Sequence, residues 1–266
     1  VRFFGRETAE ALVKERRKPD LLVGNNVLAH VPDINDFVGA LKISLADEGV
    51  LTFEFPHLVQ LVKHNQFDTI YHEHFSYFSF TTVNEIFAHH GLTLFDVDQL
   101  PSHGGSLRIY GCHTGSRKHE VTERVGALLQ EEERLGIKTE AYYSDFAERV
   151  RETKRCLLEF LIEKKREGKT IVGYGAPGKG NTLLNYCGIR QDFIDYTVDR
   201  SPHKQNSLLP GSRIPIHAPD RIFETRPDYI LILPWNLREE IMEQMKEVRQ
   251  WGAKFVVPIP SVKVFD

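Results

Sequence analysis

Cysteine is scarce here and does not pair. Among 266 residues there are three, Cys112, Cys156 and Cys187, isolated in sequence and odd in number, so neither a disulfide framework nor a zinc knuckle of paired cysteines is indicated. Long apolar runs are missing: none approaches the ~20 residues of a membrane span, and the start lacks the basic, apolar and small-residue order of a secretory signal. No excess of one charge is present either. Lys plus Arg number 34 against 37 Asp plus Glu, a formal net charge of -3, which leaves no electrostatic footprint for nucleic acid or a membrane surface. Internal repeats and low-complexity tracts are absent. So is an initiator methionine, since the chain begins Val1-Arg2-Phe3-Phe4, and this points to a piece of something longer. What remains is an ordinary globular composition, 41% hydrophobic, with the cytoplasm as the default location. At this length folding buries roughly 70 to 75% of the unfolded surface, enough for one or two domains without staples.

Periodicity then gives the class. An Ala-rich charged stretch from Glu7 to Arg17 precedes Asp20-Leu21-Leu22-Val23-Gly24-Asn25-Asn26, a strand ending in polar residues. A helical stripe follows at Phe37, Leu41 and Leu45, Gly49 stops it, and Val50 to Phe55 is the next strand. Strand, helix, strand at this spacing predicts a parallel α/β sheet. Thr81 or Thr82 can cap a helix running to His90 that Gly91 ends, and Leu92 to Val97 and Ser106 to Cys112 read as a closing pair of strands. From Arg117 to Gly168 the sequence turns charged and helix-favouring, with runs such as Glu131-Glu132-Glu133-Arg134 that read as solvated helix faces. Thr170 to Tyr174, Phe193 to Val198, Tyr229 to Leu233 and Phe255 to Ile259 are further strands, with Leu237 to Trp251 helical. The expected division is 1–116, a helical linker 117–169, and a smaller α/β domain 170–266.

Four strings carry chemistry. Gly173-Tyr174-Gly175-Ala176-Pro177-Gly178-Lys179-Gly180-Asn181-Thr182 satisfies G-x-G-x-x-G between a strand and a helix, where backbone N–H groups and the helix dipole favour an anion. Lys179 adds a point charge at the mouth of the turn. Gly180 stands where a P-loop needs Ser or Thr for magnesium, which disfavours a nucleoside triphosphatase. Asp199 lies where a dinucleotide fold places its ribose-binding acid, while a purely structural strand-to-helix turn also fits. Second, Phe67-Asp68-Thr69-Ile70-Tyr71-His72-Glu73-His74 sets ionisable and hydroxylic groups in a row. If extended, it puts Tyr71 and Glu73 on one face and His72 and His74 on the other, so an acid can orient a histidine whose ordinary pKa near 6.5 suits proton abstraction. The His-x-His pair could instead ligate zinc with Asp68, Glu73, His30 or His57, or belong to a structural polar network. Third, Asn25-Asn26-Val27-Leu28-Ala29-His30-Val31-Pro32-Asp33 follows a strand's carboxyl end, where open α/β sheets bind ligands, and fourth, His103-Gly104-Gly105-Ser106 either lets backbone approach something closely or forms a simple turn.

Taken in order, Gly24 to Asp33, Phe53-Glu54-Phe55-Pro56, Phe67 to His74, His103 to Arg108 and Gly173 to Asn181 resemble the S-adenosylmethionine-dependent sugar C-methyltransferases, which make branched deoxysugars on nucleotide carriers. The resemblance covers essentially the whole chain, and Tyr71-His72-Glu73-His74 is its most specific element. It implies an incomplete class I, Rossmann-like methyltransferase core followed by a smaller Rossmann-like α/β domain. It also implies methyl transfer from S-adenosylmethionine to C3 of a nucleotide-linked 4-keto deoxysugar through an enolate. His74 would be the general base, with Tyr71, Glu73 and His30 orienting it or contacting the sugar, and His72 near the substrate. Gly173, Gly175, Gly178, Lys179 and Asn181 would hold the carrier nucleotide, and Asn25, Asn26, Glu54 and Pro56 would flank the cofactor. The family's four-cysteine zinc module and glycine-rich cofactor loop have no counterpart, since no Cys precedes Cys112, so the chain reads as the carboxyl-terminal two thirds of such an enzyme, without a metal of its own. The expected partner is a small nucleotide-sugar, with no nucleic acid or membrane and with monomer or homodimer open. Two alternatives stay in play: a non-catalytic nucleotide-sugar-binding fragment, and an NAD(P)-dependent sugar-nucleotide oxidoreductase using the glycine turn.

Overall fold

The computed structural model describes residues 2–266, which form two compact units. The first comprises the chain up to Leu61 together with His72–Ser144, and the second Val62–Tyr71 with Asp145–Asp266. The stretch 117–169, expected as one linker, is thus divided between the two. Among the described residues no helix is long and apolar enough to cross a membrane.

In the first unit, helix α1 (Arg6–Glu15) precedes strand β1 (Leu21–Asn25), helix α2 (Ile34–Ser44) and strand β2 (Val50–Pro56). Asp33 begins α2 because its carboxylate accepts the Asp36 N–H, and the helix buries Phe37, Val38 and Leu41. Strands β1 and β2 pair in parallel with Asn25 opposite Glu54, as the strand-helix-strand spacing requires. On β2, Leu51, Phe53 and Phe55 alternate into the core. Helices α3 (Leu58–Lys63) and α4 (Phe80–His89) follow. The cap of α4 is Ser79, which accepts the Thr82 N–H, rather than Thr81 or Thr82, because the chain is already helical from Phe80. The expected closing pair is there: β3 (Leu92–Leu100) and β4 (Ser106–His113) are antiparallel, with β4 inserted beside β2, giving the order β1-β2-β4-β3. Helix α5 (Glu123–Leu135) buries Val125 and Leu128 against this core, and the short α6 (Glu140–Tyr143) ends the unit.

In the second unit, α7 (Phe146–Arg166) turns Val150, Leu157 and Leu161 inward at helical spacing. Then come β5 (Ile171–Tyr174), α8 (Gly178–Cys187), β6 (Thr197–Val198), β7 (Ile216–His217), α9 (Arg221–Thr225), β8 (Tyr229–Ile232), α10 (Arg238–Gln244), β9 (Lys254–Val257) and β10 (Lys263–Phe265). The sheet order is β10-β9-β8-β5-β6-β7, parallel except for the edge strand β10. Strand order therefore reverses between β5 and β8. In doubly wound sheets the crevice beyond the carboxyl ends at such a reversal is where ligands bind. The strand expected from Phe193 shrinks to Thr197–Val198, because Phe193 and Ile194 donate their N–H groups back to Arg190 in a turn. The helix expected to Trp251 changes to a 3₁₀ turn at Lys246–Trp251.

Candidate functional site

In the first unit the chemistry gathers at the carboxyl ends of β1 and β2. After β1 the backbone tightens into a 3₁₀ turn, Leu28–His30, whose Ala29 carbonyl accepts the Phe75 N–H at 2.8 Å and the Ser76 N–H at 3.3 Å. Those two bonds dock the segment after His74 onto the turn and bring the His74 and His30 rings edge to face, centroids 4.8 Å apart, with Tyr77 at 5.7 Å from His74. The alternation of faces depended on an extended segment, and that condition is not met: His72 and Glu73 lie in a turn and are exposed, just ahead of the two residues that the Ala29 carbonyl holds. Tyr71 falls in the second unit, with its ring carbon Cζ 3.7 Å from where a side chain on Gly178 would begin.

Beside this pair, Asn25 and Asn26 are exposed, and Asn26 takes a positive φ of 53° as its N–H bonds to the Glu54 carbonyl at 2.8 Å. Its side-chain amide meets His103 Nε2 at 3.1 Å. Glu54 is buried, and each carboxylate oxygen is in use: Oε1 accepts from Ser102 Oγ at 2.6 Å and Oε2 from Arg108 at 2.6 Å. Burial opposes its ionisation, but those bonds outweigh it and hold the carboxyl below the ordinary glutamate value. Glu54 therefore fixes the 102–104 turn at the carboxyl end of β2. Pro56 is half-buried at the end of β2 and opposes Ser106 on β4. The exposed amide of Asn25 and that of Asn26, which His103 engages in part, stand at a strand's carboxyl end and make a donor and acceptor set of the kind that the polar groups of S-adenosylmethionine take.

The second unit supplies the crevice at the β5/β8 reversal. Gly173 packs so tightly that a Cβ would lie 2.7 Å from Thr197 Oγ1, and Gly175, at φ +90°, would put one 2.5 Å from Pro234. These two glycines serve close packing and a left-handed turn. Gly178, by contrast, is exposed at the start of α8. Lys179 reaches across to the segment after β8: its Nζ donates to Asn236 Oδ1 at 2.5 Å and sits 4.5 Å over the Trp235 ring. The Trp235 indole N–H donates at 2.7 Å to Asp68 Oδ2, on the 3₁₀ turn Phe67–Thr69 that packs against α8. Asp68 is fully buried, and burial pushes its carboxyl up to about 6, against the opposing pull of the Trp235 bond and the Lys179 charge. Burial likewise lowers Lys179, with Asp68 acting the other way. Asn181 Oδ1 is buried without a partner, an acceptor in reserve on the first turns of α8.

Two competing readings lose ground here. Asp199 closes β6, yet its Oδ2 accepts the Ala176 N–H and its Oδ1 the Ser201 N–H, each at 2.8 Å. The acid braces the glycine turn from within and has less to offer the ribose of a dinucleotide. For zinc, His57 is buried against Glu132 Oε1 at 2.7 Å and Asp68 belongs to the Trp235 contact. Among the described residues, no group of three or more His, Cys, Asp or Glu side chains is placed to hold a metal.

Comparison with known proteins bears on the same regions. A family model described as the C-methyltransferase C-terminal domain matches residues 101–260, more than half of the chain. The chain belongs to the C-methyltransferase family. A second model, described as a methyltransferase domain, matches residues 2–97. C-methyltransferase NovU of Streptomyces niveus is 40% identical over 266 residues, covering 99% of this chain and 62% of that protein. The chain thus spans about 62% of the length of this curated relative. A solved structure titled crystal structure of M1.HpyAVI covers 82% of this chain and 90% of that one, at 9% identity and a TM-score of 0.28, and adds nothing to the fold described above.

Sequence reasoning overlooked Trp235, Asn236 and Ser102, and weighed Asp68 only as a metal ligand. One signal was available: Pro234-Trp235-Asn236 lies just beyond the carboxyl end of the strand β8, where ligands bind in open parallel sheets.

Proposed function

We propose that this protein is an S-adenosylmethionine-dependent C-methyltransferase acting on C3 of a nucleotide-linked 4-keto deoxysugar, with His74 as the general base. The observation that carries the reading is the His74–His30 pair, fixed by the Ala29 carbonyl at the carboxyl end of β1, in a chain of the C-methyltransferase family. A ketone acidifies the hydrogen on the adjacent carbon, so one imidazole held at that carbon suffices to remove it. His30, at the edge of the same ring, can donate to the oxygen on which negative charge develops. Bound S-adenosylmethionine would supply the electrophilic methyl group, and Asn25 and Asn26 would hold its polar groups. In the second unit, Lys179 and the N–H groups at the start of α8 suit the diphosphate of the carrier. These groups address the diphosphate rather than the base of the carrier.

The test is product analysis: the protein, methyl-labelled S-adenosylmethionine and a thymidine-diphosphate 4-keto-6-deoxysugar, read by NMR. Label on the sugar carbon beside the ketone is the expected result. Label on an oxygen, or none although both ligands bind, overturns the proposal.

A further inference from the structure

A fully buried carboxylate is costly, and Asp68 at 0% exposure carries one oxygen, Oδ1, with no hydrogen-bond partner. Holding the Trp235 indole does not require that charge, because a neutral amide oxygen also accepts an N–H, though less strongly. The charge has another counterpart. Lys179 lies over the face of the same indole whose edge binds Asp68, and its own hydrogen bond goes to a neutral group, Asn236. The indole thus holds both side chains on one ring, Lys179 at its face and Asp68 at its edge, and each charge favours the ionised form of the other. Tyr71, beside Gly178, is a further titratable group at the turn.

We propose that Asp68 is the resident counter-ion of Lys179, and that a diphosphate binding at Lys179 displaces it electrostatically, so that Asp68 takes up a proton as the ligand binds. This rests on the reading of the crevice as the diphosphate site and adds its regulation. The direction follows from linkage. In the free protein the Lys179 charge favours the ionised acid, whereas burial alone pushes Asp68 up, to a net value of about 6. A diphosphate neutralises Lys179 and adds negative charge nearby, and both changes raise Asp68 further. Protonation is thereby coupled to binding, and affinity declines as pH rises through the window above about 6, by at most about tenfold per pH unit for one linked proton.

Thymidine diphosphate glucose is the probe, because its diphosphate is esterified at both ends and has no proton to titrate in this range. Calorimetry near pH 7 in buffers of different ionisation enthalpy counts the protons exchanged. The wild-type protein should take up a substantial fraction of a proton per ligand. Asp68→Asn, which keeps an acceptor for the indole, should take up none and should bind severalfold more tightly at about pH 8. Trp235 emission and the thermal midpoint of the variant check that the crevice still folds. Equal proton uptake in wild type and Asp68→Asn overturns the inference, as does weaker binding by the variant at every pH, which would make Asp68 only a support for Trp235. Lys179→Ala separates the two levels. Unchanged affinity in that variant overturns the diphosphate reading itself, whereas lost affinity with no proton difference at Asp68 overturns the counter-ion alone.

Discussion

Glu132 is the group whose removal should damage the first unit most. It projects from α5, is fully buried, and accepts four bonds: His57 Nε2 and the Phe80 N–H on Oε1 at 2.7 and 2.8 Å, and the Thr81 N–H and hydroxyl on Oε2 at 2.7 and 2.5 Å. Two of these donors are the opening N–H groups of α4, which have no partner within the helix. The ionised carboxylate can only accept, so His57 Nε2 is the donor in this contact. Glu132→Ala strands these donors in the core, and breaking a buried ionic partner of this kind costs about 3 to 5 kcal/mol. With a urea dependence of about 2 kcal/mol/M, the midpoint should fall by about 1.5 to 2.5 M. The assay separates the units, because both tryptophans, Trp235 and Trp251, lie in the second. Far-ultraviolet circular dichroism should show an early transition, while tryptophan fluorescence moves little. The acid limb gives a second check. Burial opposes ionisation of Glu132, but the His57 and Thr81 bonds outweigh it and hold the folded carboxyl below its ordinary value. Its stabilisation is then fully present above the unfolded value of about 4.3 and is lost as pH falls through the folded one. Glu132→Gln should flatten that loss. A midpoint change equivalent to under about 1 kcal/mol for Glu132→Ala would refute the reasoning.

Further outcomes follow from particular contacts. Gly175→Ala forces a side chain into a φ of +90° and against Pro234, so the tryptophan-detected transition should lose about 2 to 5 kcal/mol; a loss within 0.5 or so of wild type would show that the turn relaxes freely. Cys112 and Cys187 are buried, and burial pushes the Cys187 thiol up to about 12. A thiol reagent at about pH 8 should therefore label at most Cys156 in the native protein and all three cysteines in denaturant, and rapid native labelling of two would contradict the burial. Lys179→Ala should weaken nucleoside diphosphate binding by about 1 to 3 kcal/mol in titration calorimetry, through loss of a charge-assisted contact.

The parts of the fold that could be read from the sequence were those governed by local periodicity. The succession β1–α2–β2, the glycine-ended α4 and the strand before the glycine turn all follow from apolar spacing and stop residues. Short elements escaped: β7 has two residues and β10 three, and each exists only because a neighbouring strand offers partners. At the site, His30, His74 and Lys179 could be named from residue type and from the resemblance. Their surroundings could not. Asp68 and Trp235 are 167 positions apart, and no local pattern announces that an acid from a turn after α3 will meet an indole after β8. The turn at His72 and Glu73 was hidden for the same reason, since the Ala29 carbonyl that anchors the segment lies more than forty residues upstream.

The central claim is that His74 removes the sugar C3 proton. It is tested most directly by incubating wild type and His74→Asn with a thymidine-diphosphate 4-keto-6-deoxysugar in deuterium oxide and following C3 exchange by NMR. The wild type should exchange the proton and the variant should do so about a hundredfold or more slowly, with nucleotide binding nearly unchanged. Exchange at the wild-type rate in His74→Asn would contradict the account.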